Sequence, residues 1–347
     1  MPICEREYPF EFVFRGPGRV EDLEWEVIEP RYADFWKSAA KSLRRRTYEH
    51  KGCDIEIRVD WSPLVRRIVR DHNLMTPVRS GGTANPSWYK KISQPLRIKA
   101  LCTVSGSNEI SEYAWYSGFF MEYFLYEIFA IANLACPGSA EFYGLSIVGG
   151  DTKTTSELRL SAFYFDEWMI ESIQGLHMGV RLIDPEIVDQ WFKSVNPRIT
   201  QKAENSTQRA IFALFHLCKS DGHVDFILWI FNALEALLST RVGENFSGLV
   251  RRASLVLELN PKQTAELSKR MRKLYDLRSS FVHGGYDVPH PIHSETIDRR
   301  LDDHYSNEVA LGKYGFFVLV SLFQRMIEKN LASLLFEEKL MVAQNAI

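Results

Sequence analysis

Apolar and polar residues alternate along several short runs in the first half of the chain. In the run 54–60, Ile55, Ile57 and Val59 fall on one side and charged residues on the other, as in a strand with one buried face. Similar runs predict strands over 96–104, 142–148 and 157–165, and helical spacing of apolar residues predicts helices over 30–47, 61–72 and 112–135. We therefore expect residues 1–195 to form an α+β domain whose strands make one antiparallel sheet.

The pattern changes after a polar linker at 194–206, beyond which strand signals nearly vanish. Helical spacing predicts helices over 207–219, 223–239, 245–259, 260–283 and 306–336. Asn260 followed by Pro261 is a typical helix start, and the pair Gly284 and Gly285 predicts a helix end with a left-handed cap. We expect residues 205–347 to form an all-α, up-and-down helical bundle with one long connection.

The composition is typical of a soluble globular protein, with 46% hydrophobic and 25% charged residues. The net charge of −2 gives no global basic field, so any surface that binds nucleic acid must be local. The five cysteines are scattered and contain no C-x-x-C pair, which argues against a disulfide framework or a zinc knuckle and suits a reducing cytoplasm.

No membrane segment is expected, although the run 113–136 is apolar and long enough to span a bilayer. Glu122 and Glu127 lie inside it, and each is costly at membrane depth. The start of the chain lacks the basic region and apolar core of a signal peptide. We therefore expect a buried helix in a cytoplasmic protein, with its aromatic side chains in the core.

Two short basic runs occur in the first domain, where the usual role of such runs is a solvated helix face rather than an RNA-binding surface. The first contains Lys41 and the triplet 44–46. The second contains Arg66, Arg67 and Arg70. We expect both runs to be exposed to solvent.

The residues best suited to chemistry are Arg278 and His283, in the last turn of the helix that ends at the paired glycines. An imidazole can take or give a proton near neutral pH, and a guanidinium can hold a phosphate and stabilise extra negative charge on it. These groups suffice for RNA cleavage with the 2′-hydroxyl as the nucleophile, without a metal-activated water. Five residues separate the two side chains by about 140° around a helix. They converge only if the helix loosens at its end, which the glycines would allow.

Neighbouring residues extend this candidate site. Ser279 is four residues before His283 and shares its helix face. Four basic residues just upstream are candidates for a phosphate track leading to the site, with a solvated helix face as the alternative: Lys269, Arg270, Arg272 and Lys273. His283, His290 and His293, with Asp287 nearby, suggest a metal site, but they lie mostly in a proline-containing loop without a cysteine. We expect neither a metal nor another cofactor.

The string Arg278-x4-His283, inside Leu-Tyr-Asp-Leu-Arg-Ser-Ser-Phe-Val-His-Gly, resembles the R-x4-6-H signature of HEPN domains. This local sequence is most similar to that of the ApeA-like HEPN branch, which is seen in prokaryotic defence and toxin-type ribonucleases. The stretch 231–238 resembles the earlier helix of that family, with its glutamate at Glu235. The resemblance covers about 205–340, and the N-terminal domain resembles no family that we recognise.

The resemblance implies a metal-independent endoribonuclease that forms a homodimer through its HEPN helices and places two Arg-His motifs in one cleft. Arg278 and His283 would be catalytic, and Glu235 would hold Arg278. Ser279 stands where many active members have Asn, Asp or His, and its hydroxyl would support the site by binding a phosphate. The protein would act as an antiviral or toxin effector. We expect its N-terminal domain to sense a trigger or an inhibitor, or to restrain the nuclease, since unregulated cleavage of RNA would be toxic.

Two other functions are compatible with the sequence. A non-catalytic HEPN module for dimerisation or RNA binding would retain RNA without cleaving it. An enzyme with its active site in residues 1–195 would bind a ligand or cofactor there. We expect the first function, RNA cleavage, because the string around Arg278 and His283 contains both groups that the reaction needs.

Overall fold

The computed structural model describes residues 4–14, 23–82, 90–106, 110–149, 156–175, 179–219, 225–239, 246–290, 292 and 296–337, with the side chains of 110–113 and 302–305 excepted. The chain divides into two compact units. The N-terminal unit contains residues 1–201 and 215–221, and the C-terminal unit contains 202–214 and 222–347.

The N-terminal unit is built on one antiparallel sheet, as its alternating runs predict. Its described strands are β1 (Cys4–Phe14), β2 (Arg45–His50), β3 (Cys53–Val59), β4 (Leu96–Gly106), β5 (Phe142–Gly149) and β6 (Ser156–Leu160). Their order across the sheet is β2-β3-β4-β1-β5-β6, and every neighbouring pair is antiparallel. In β3 the residues at alternate positions are buried, so the predicted strand and its inward face are confirmed.

The sequence pattern did not predict strand β1, although this strand lies inside the sheet between β4 and β5. Pro9 interrupts its pattern, and a proline argues against a central strand because it has no N–H to donate to a neighbour. The structure accommodates Pro9 because β5 pairs with β1 only over Phe10–Val13. Pro9 itself lies opposite Leu101 of β4.

The helices of this unit lie between its strands in the sequence and after its last strand, β6. Their bounds are α1 (Trp25–Ser42), α2 (Ser62–Arg79), α3 (Ile110–Ala135), α4 (Phe163–Ile173) and α5 (Pro185–Val195). The helix predicted over 30–47 is wrong at its end, because β2 begins at Arg45. The strand predicted over 157–165 is also too long, because the chain leaves β6 after Leu160 and α4 begins at Phe163. Helix α5 was not expected.

The apolar helix α3 is a core helix, as expected. Among the described residues, Ala114–Ala135 and Ser306–Glu328 are long and apolar enough to cross a bilayer, and 72% and 67% of those windows are buried inside the protein. Glu127 is buried and accepts hydrogen bonds from Arg46 at 2.8 Å and from Tyr48 at 2.8 Å. Glu122 accepts a hydrogen bond from Ser156. Both glutamates in the run therefore have polar partners.

The two basic runs are not uniformly solvated, and this expectation is wrong for one arginine in each. Arg46 is buried, and it contacts Asp189 at 2.5 Å as well as Glu127. Arg67 is also buried, and it donates hydrogen bonds to Asp71 and to the Gln94 carbonyl oxygen. Each buried guanidinium is compensated by carboxylates or carbonyls that are close in space.

The C-terminal unit is helical, as predicted. Its helices are α6 (Ser206–Lys219), which contributes residues to both units, α7 (Asp225–Leu237), α8 (Phe246–Val256), α9 (Pro261–Val282) and α10 (Arg300–Glu328). Close packing is possible because α10 has a glycine where it meets its neighbours. A Cβ at Gly315 would lie 2.5 Å from a methyl of Leu274 on α9 and 3.0 Å from Ile230 on α7. The chain is thus an α+β unit followed by a mainly helical one.

Candidate functional site

Helix α9 carries the candidate site, and both of its ends are fixed by capping. At its start, the Asn260 side chain accepts a hydrogen bond from the Gln263 backbone N–H at 2.9 Å, and the Gln263 side chain accepts one from the Asn260 N–H at 3.0 Å. This reciprocal pair is a capping box, and Pro261 follows it in the first turn. The predicted helix start is therefore confirmed.

At the other end, Gly284 has a φ of +75°, so the predicted left-handed cap is confirmed. The Gly284 N–H donates to the Phe281 carbonyl at 3.4 Å, and the Gly285 N–H donates to the Ser280 carbonyl at 2.7 Å. This pattern of two bonds is a Schellman motif. It closes the helix immediately after His283, which is the C-cap residue.

The helix does not loosen before His283, so the condition under which Arg278 and His283 would converge within one chain is not met. The His283 backbone N–H still donates to the Ser279 carbonyl at 3.0 Å, which is the regular α-helical bond. With that bond in place, the two side chains leave the helix about 140° apart. Arg278 is directed toward α7, and His283 is exposed to solvent.

Arg278 lies in an aromatic and acidic environment. Its Nη2 is 3.5 Å from Glu235 Oε1, and the centre of the guanidinium is 5.3 Å from the Phe231 ring and 5.9 Å from the Tyr275 ring. Its Nε is buried and has no hydrogen-bond acceptor among the described residues. The guanidinium is therefore positioned by one ion pair and two rings, with hydrogen-bonding capacity left over.

His283 is exposed at the end of the helix. Its imidazole makes no hydrogen bond or ion pair with the part of the chain that the structure describes. It shares the solvent face of α9 with Lys269 and Lys273, since residues at these spacings lie within about 80° of one another around a helix.

The basic run on α9 separates into two pairs. Arg270 contacts Glu266 at 2.6 Å and lies 5.0 Å from the Tyr314 ring. Arg272 lies 4.1 Å from the Phe246 ring on α8. These two arginines pack on helices to either side of α9. The two lysines of the run, at 269 and 273, are exposed and form no ion pair among the described residues.

Glu235 and Ser279 are close to the motif arginine and histidine. Glu235, on α7, is the carboxylate that faces Arg278, whereas Asp276 on α9 is exposed. The position expected for Glu235 is thus found. Ser279 is half-buried next to Arg278, and its hydroxyl has no hydrogen-bond partner among the described residues.

The two aromatic rings around Arg278 were not expected. Tyr275 is three residues before Arg278, and Phe231 is four residues before Glu235, so helical spacing places each ring on the same face as one member of the ion pair. That spacing was the available signal. The two rings also touch each other edge to face, with centroids 5.7 Å apart.

The described residues contain no group of three or more His, Cys, Asp and Glu side chains that could hold a metal ion. His293, one of the histidines considered for a metal, lies outside the described residues. His290 Nδ1 lies 2.9 Å from the Ile292 carbonyl oxygen and accepts from the Ile292 N–H at 3.0 Å.

Large apolar side chains are exposed at and beyond the end of α9. Val282 is 55% exposed, Val288 76%, Ile292 87% and Ile297 88%. Isolated exposed apolar residues are ordinary, but four within sixteen positions are more typical of a surface that contacts a partner. This segment directly adjoins His283.

Comparisons of the chain with protein-family models, with curated proteins and with solved structures found no match. The function is therefore argued from the residues themselves. The geometry provides a guanidinium with spare hydrogen-bonding capacity, an exposed imidazole on the same helix, and two exposed lysines on the face of that imidazole.

Proposed function

We propose that the chain is a metal-independent endoribonuclease of the HEPN type, acting as a defence or toxin effector in the cytoplasm. The proposal is supported by the HEPN-like sequence around Arg278 and His283 and by the environment of these two side chains. Glu235 and two rings hold Arg278 while its Nε lacks an acceptor among the described residues, and the imidazole of His283 is exposed on the same helix. Arg278 and His283 are the proposed catalytic residues, and Glu235 and Ser279 are the supporting ones.

The proposed active unit is a homodimer. In one chain, Arg278 and His283 leave α9 about 140° apart, so one phosphate does not readily contact both. A second copy placed against the end of α9 would supply the missing group to each motif. The exposed apolar residues beside His283 support such a contact, because burying them against a second copy would remove them from water.

The proposed reaction needs only groups that this chain and the RNA supply. The 2′-oxygen of a ribose attacks the adjacent phosphorus, a new P–O2′ bond forms, and the P–O5′ bond breaks. His283 carries the proton from the 2′-hydroxyl to the departing 5′-oxygen. Arg278 binds the phosphate oxygens and stabilises the added negative charge. The products would be a 2′,3′-cyclic phosphate and a 5′-hydroxyl.

The exposed lysines would hold the RNA. Lys269 and Lys273 lie on the face of His283 and form no ion pair among the described residues, so their charges are available to backbone phosphates. Arg270 and Arg272 already contact aromatic rings, and we assign them a smaller share of RNA binding.

A second candidate function is a HEPN module that binds RNA or dimerises without cleavage. The observation in its favour is that Glu235 already faces Arg278 at 3.5 Å, as in a structural ion pair. This function predicts that the protein retains RNA intact, and that loss of Arg278 lowers stability or dimerisation instead of activity.

The first prediction separates these two functions. Purified protein is incubated with single-stranded RNA and with transfer RNA in EDTA, next to Arg278→Ala and His283→Ala. We expect wild type to cleave, and each variant to lose about a hundredfold or more in rate, the size of a lost general acid–base contribution. The product ends are identified by mass spectrometry, and a 2′-deoxy substitution at the cleaved position should block the reaction.

Matched controls are available elsewhere in the chain. Arg300 is an arginine at the start of α10 whose side chain is 90% exposed, and His216 is an exposed histidine on α6. Arg300→Ala and His216→Ala should cleave at the wild-type rate. Equal cleavage by wild type and both motif variants would contradict the proposal, as would intact RNA in every reaction.

A further inference from the structure

The N-terminal unit contains a cavity of about 650 Å³. Its walls come from the first turns of α1, the inward face of α2, the segment 138–145 that leads into β5, and the start of α4. Sites for organic ligands commonly have volumes of about 300–1,000 Å³ and are mostly apolar, with a few polar groups. The cavity has the size of such a site.

The walls are largely apolar and aromatic. Trp25 and Tyr32 meet edge to face, with ring centroids 6.2 Å apart, and Phe142 and Met75 are buried beside them. The indole Nε1 of Trp25 is buried without a hydrogen-bond acceptor among the described residues. Trp25 therefore adds an unsatisfied N–H to a wall of rings that can stack on a ligand.

Two arginines line the cavity, and both are committed to acidic groups. Arg79, whose side chain is only 1% exposed, contacts Glu29 at 2.7 Å and Glu26 at 3.0 Å. Arg67 is held by Asp71 and by backbone carbonyls. Neither guanidinium is available for a phosphate or carboxylate ligand unless an existing ion pair is broken.

The carboxylate of Glu141, which also lines the cavity, is committed to hydrogen bonds within the protein. Glu141 accepts hydrogen bonds from the backbone N–H groups of Tyr143 at 2.6 Å and Ala162 at 2.9 Å. One of its oxygens is bound by each group, and Ser161 adds a third bond at 3.3 Å. Glu141 therefore fixes the turns on either side of it and has little capacity left for a ligand.

Asp166 is different, because it has an oxygen to spare. The Tyr32 hydroxyl donates to Asp166 Oδ1 at 2.7 Å, and Oδ2 has no hydrogen bond among the described residues. Burial raises the pKa of Asp166 well above its usual range, which favours the protonated carboxyl when the cavity holds no cation. Gly138, with a φ of +84°, keeps the space beside this pair open, because a Cβ there would overlap both Tyr32 Oη and Asp166 Oδ1.

We propose that this cavity binds a small aromatic or apolar molecule that carries a protonated amine, and that the amine donates hydrogen bonds to Asp166. A bound ammonium would replace the proton that burial favours on Asp166, because an adjacent cation stabilises the ionised carboxylate, and the rings of Trp25 and Tyr32 add cation–π attraction. Anionic ligands are excluded, because the arginines of the cavity are already paired with acidic groups. This proposal is independent of the ribonuclease function.

Three probes of matched shape test the chemical class. Tyramine carries an amine, 3-(4-hydroxyphenyl)propionate carries a carboxylate, and 4-ethylphenol carries neither. Each has a phenol oxygen that can accept from the indole N–H of Trp25. By isothermal titration calorimetry, we expect tyramine to bind at least about tenfold more tightly than the other two, the factor of one charge-assisted hydrogen bond.

Variants of the full chain test the site. Asp166→Asn keeps the shape and still accepts from Tyr32, and it should weaken tyramine binding about tenfold or more. Asp34→Asn, an exposed aspartate on α1, is the control and should bind tyramine like wild type. Trp25→Phe keeps a ring, removes the N–H and should weaken binding through the phenol oxygen. Circular dichroism verifies the fold of each variant.

The outcomes distinguish the proposal from its failure. Tight binding of tyramine that is lost in Asp166→Asn and retained in Asp34→Asn supports it. Equal binding of the amine and the carboxylate probe would overturn it, as would unchanged tyramine binding in Asp166→Asn. Absence of tyramine binding at millimolar concentration would also overturn it. None of these results depends on whether the protein cleaves RNA.

Discussion

Arg278 depends on its neighbours for its position. Glu235 faces it at 3.5 Å, but the two side chains are 30% and 40% exposed, so this ion pair contributes little to folding stability, on the order of 0–1 kcal/mol. The Phe231 and Tyr275 rings hold the guanidinium from two further directions. The ion pair therefore matters more for the direction of the guanidinium than for the fold.

We expect Glu235→Gln to lower the cleavage rate about tenfold while the midpoint of unfolding changes by no more than a few degrees, because the ion pair with Arg278 is partly exposed and contributes little to stability. The measurements are single-turnover cleavage and thermal unfolding. Glu266→Gln is the matched control, since Glu266 pairs with an arginine on the same helix, Arg270, at 2.6 Å. A rate unchanged by Glu235→Gln would show that the carboxylate does not position Arg278.

Arg46 is the opposite case, because it is a buried cation that pairs with buried carboxylates. Its side chain and those of Glu127 and Asp189 are each 8% exposed. Removing the arginine would leave Glu127 buried without its cation, and Asp189 would keep only Lys193, whose side chain is 55% exposed. We expect Arg46→Ala to lower the free energy of unfolding by about 3–5 kcal/mol, measured by urea denaturation.

The neighbouring residue provides the comparison. Arg45 is 59% exposed and pairs with Glu56 at 2.7 Å, so Arg45→Ala should cost less than about 1 kcal/mol. Similar losses in the two variants would contradict the assignment of Arg46 as the buried partner. The contrast uses two adjacent arginines of the same strand.

Single residues were the hardest part to predict from sequence. Arg46 and Arg67 belong to ordinary basic runs, and nothing in those runs reveals that one arginine of each is buried. The partners Glu127 and Asp189 are 81 and 143 residues from Arg46, so only the tertiary fold brings them together. By contrast, the resemblance to HEPN sequences predicted that Glu235 lies near Arg278, and the two side chains are 3.5 Å apart in the structure.

Elements were predicted where the pattern was long and regular. The start of α9 followed from Asn260 and Pro261, and its end followed from two glycines, because capping is a local interaction between neighbouring residues. Failures occurred where elements change within a few residues, as between β6 and α4, since an alternating run of apolar residues continues through both. The sequence left open whether the helix loosens enough for Arg278 and His283 to converge, and in the structure the helix stays regular up to its cap.

The end of α9 can be tested directly. Gly284 has a φ of +75°, and a Cβ there would meet nothing within 4 Å, so Gly284→Ala introduces backbone strain without a clash. We expect it to lower the free energy of unfolding by about 1–2 kcal/mol, the usual cost of a left-handed non-glycine residue. Urea denaturation measures the change.

The adjacent glycine is the matched control for this prediction. A Cβ at Gly285 would lie 3.8 Å from its nearest neighbour, the Ser280 carbonyl oxygen, and the φ of Gly285 is not positive. Gly285→Ala should therefore be nearly neutral. Equal costs at 284 and 285 would mean that the left-handed cap is not what ends the helix.

At the scale of the whole molecule, the proposed site requires two copies of the chain. The net charge of −2 gives no general attraction for RNA, so in the proposed ribonuclease local groups on α9 would have to bind the RNA as well as cleave it. In one chain these groups are split between two faces of the helix, with Arg278 toward α7 and His283 toward solvent. A symmetric dimer brings the same patch of each copy together, so an arginine from one copy can act with a histidine from the other.

Mixing two inactive variants tests this arrangement. Arg278→Ala retains His283, and His283→Ala retains Arg278, so a mixed dimer has one intact residue of each kind in its cleft. We expect coexpressed, differently tagged variants, purified as mixed dimers, to recover cleavage that neither homodimer shows. Mixed dimers of wild type with the double variant Arg278→Ala/His283→Ala serve as the reference. If the mixed dimers of the single variants form but remain as inactive as each homodimer, Arg278 and His283 do not act across the dimer.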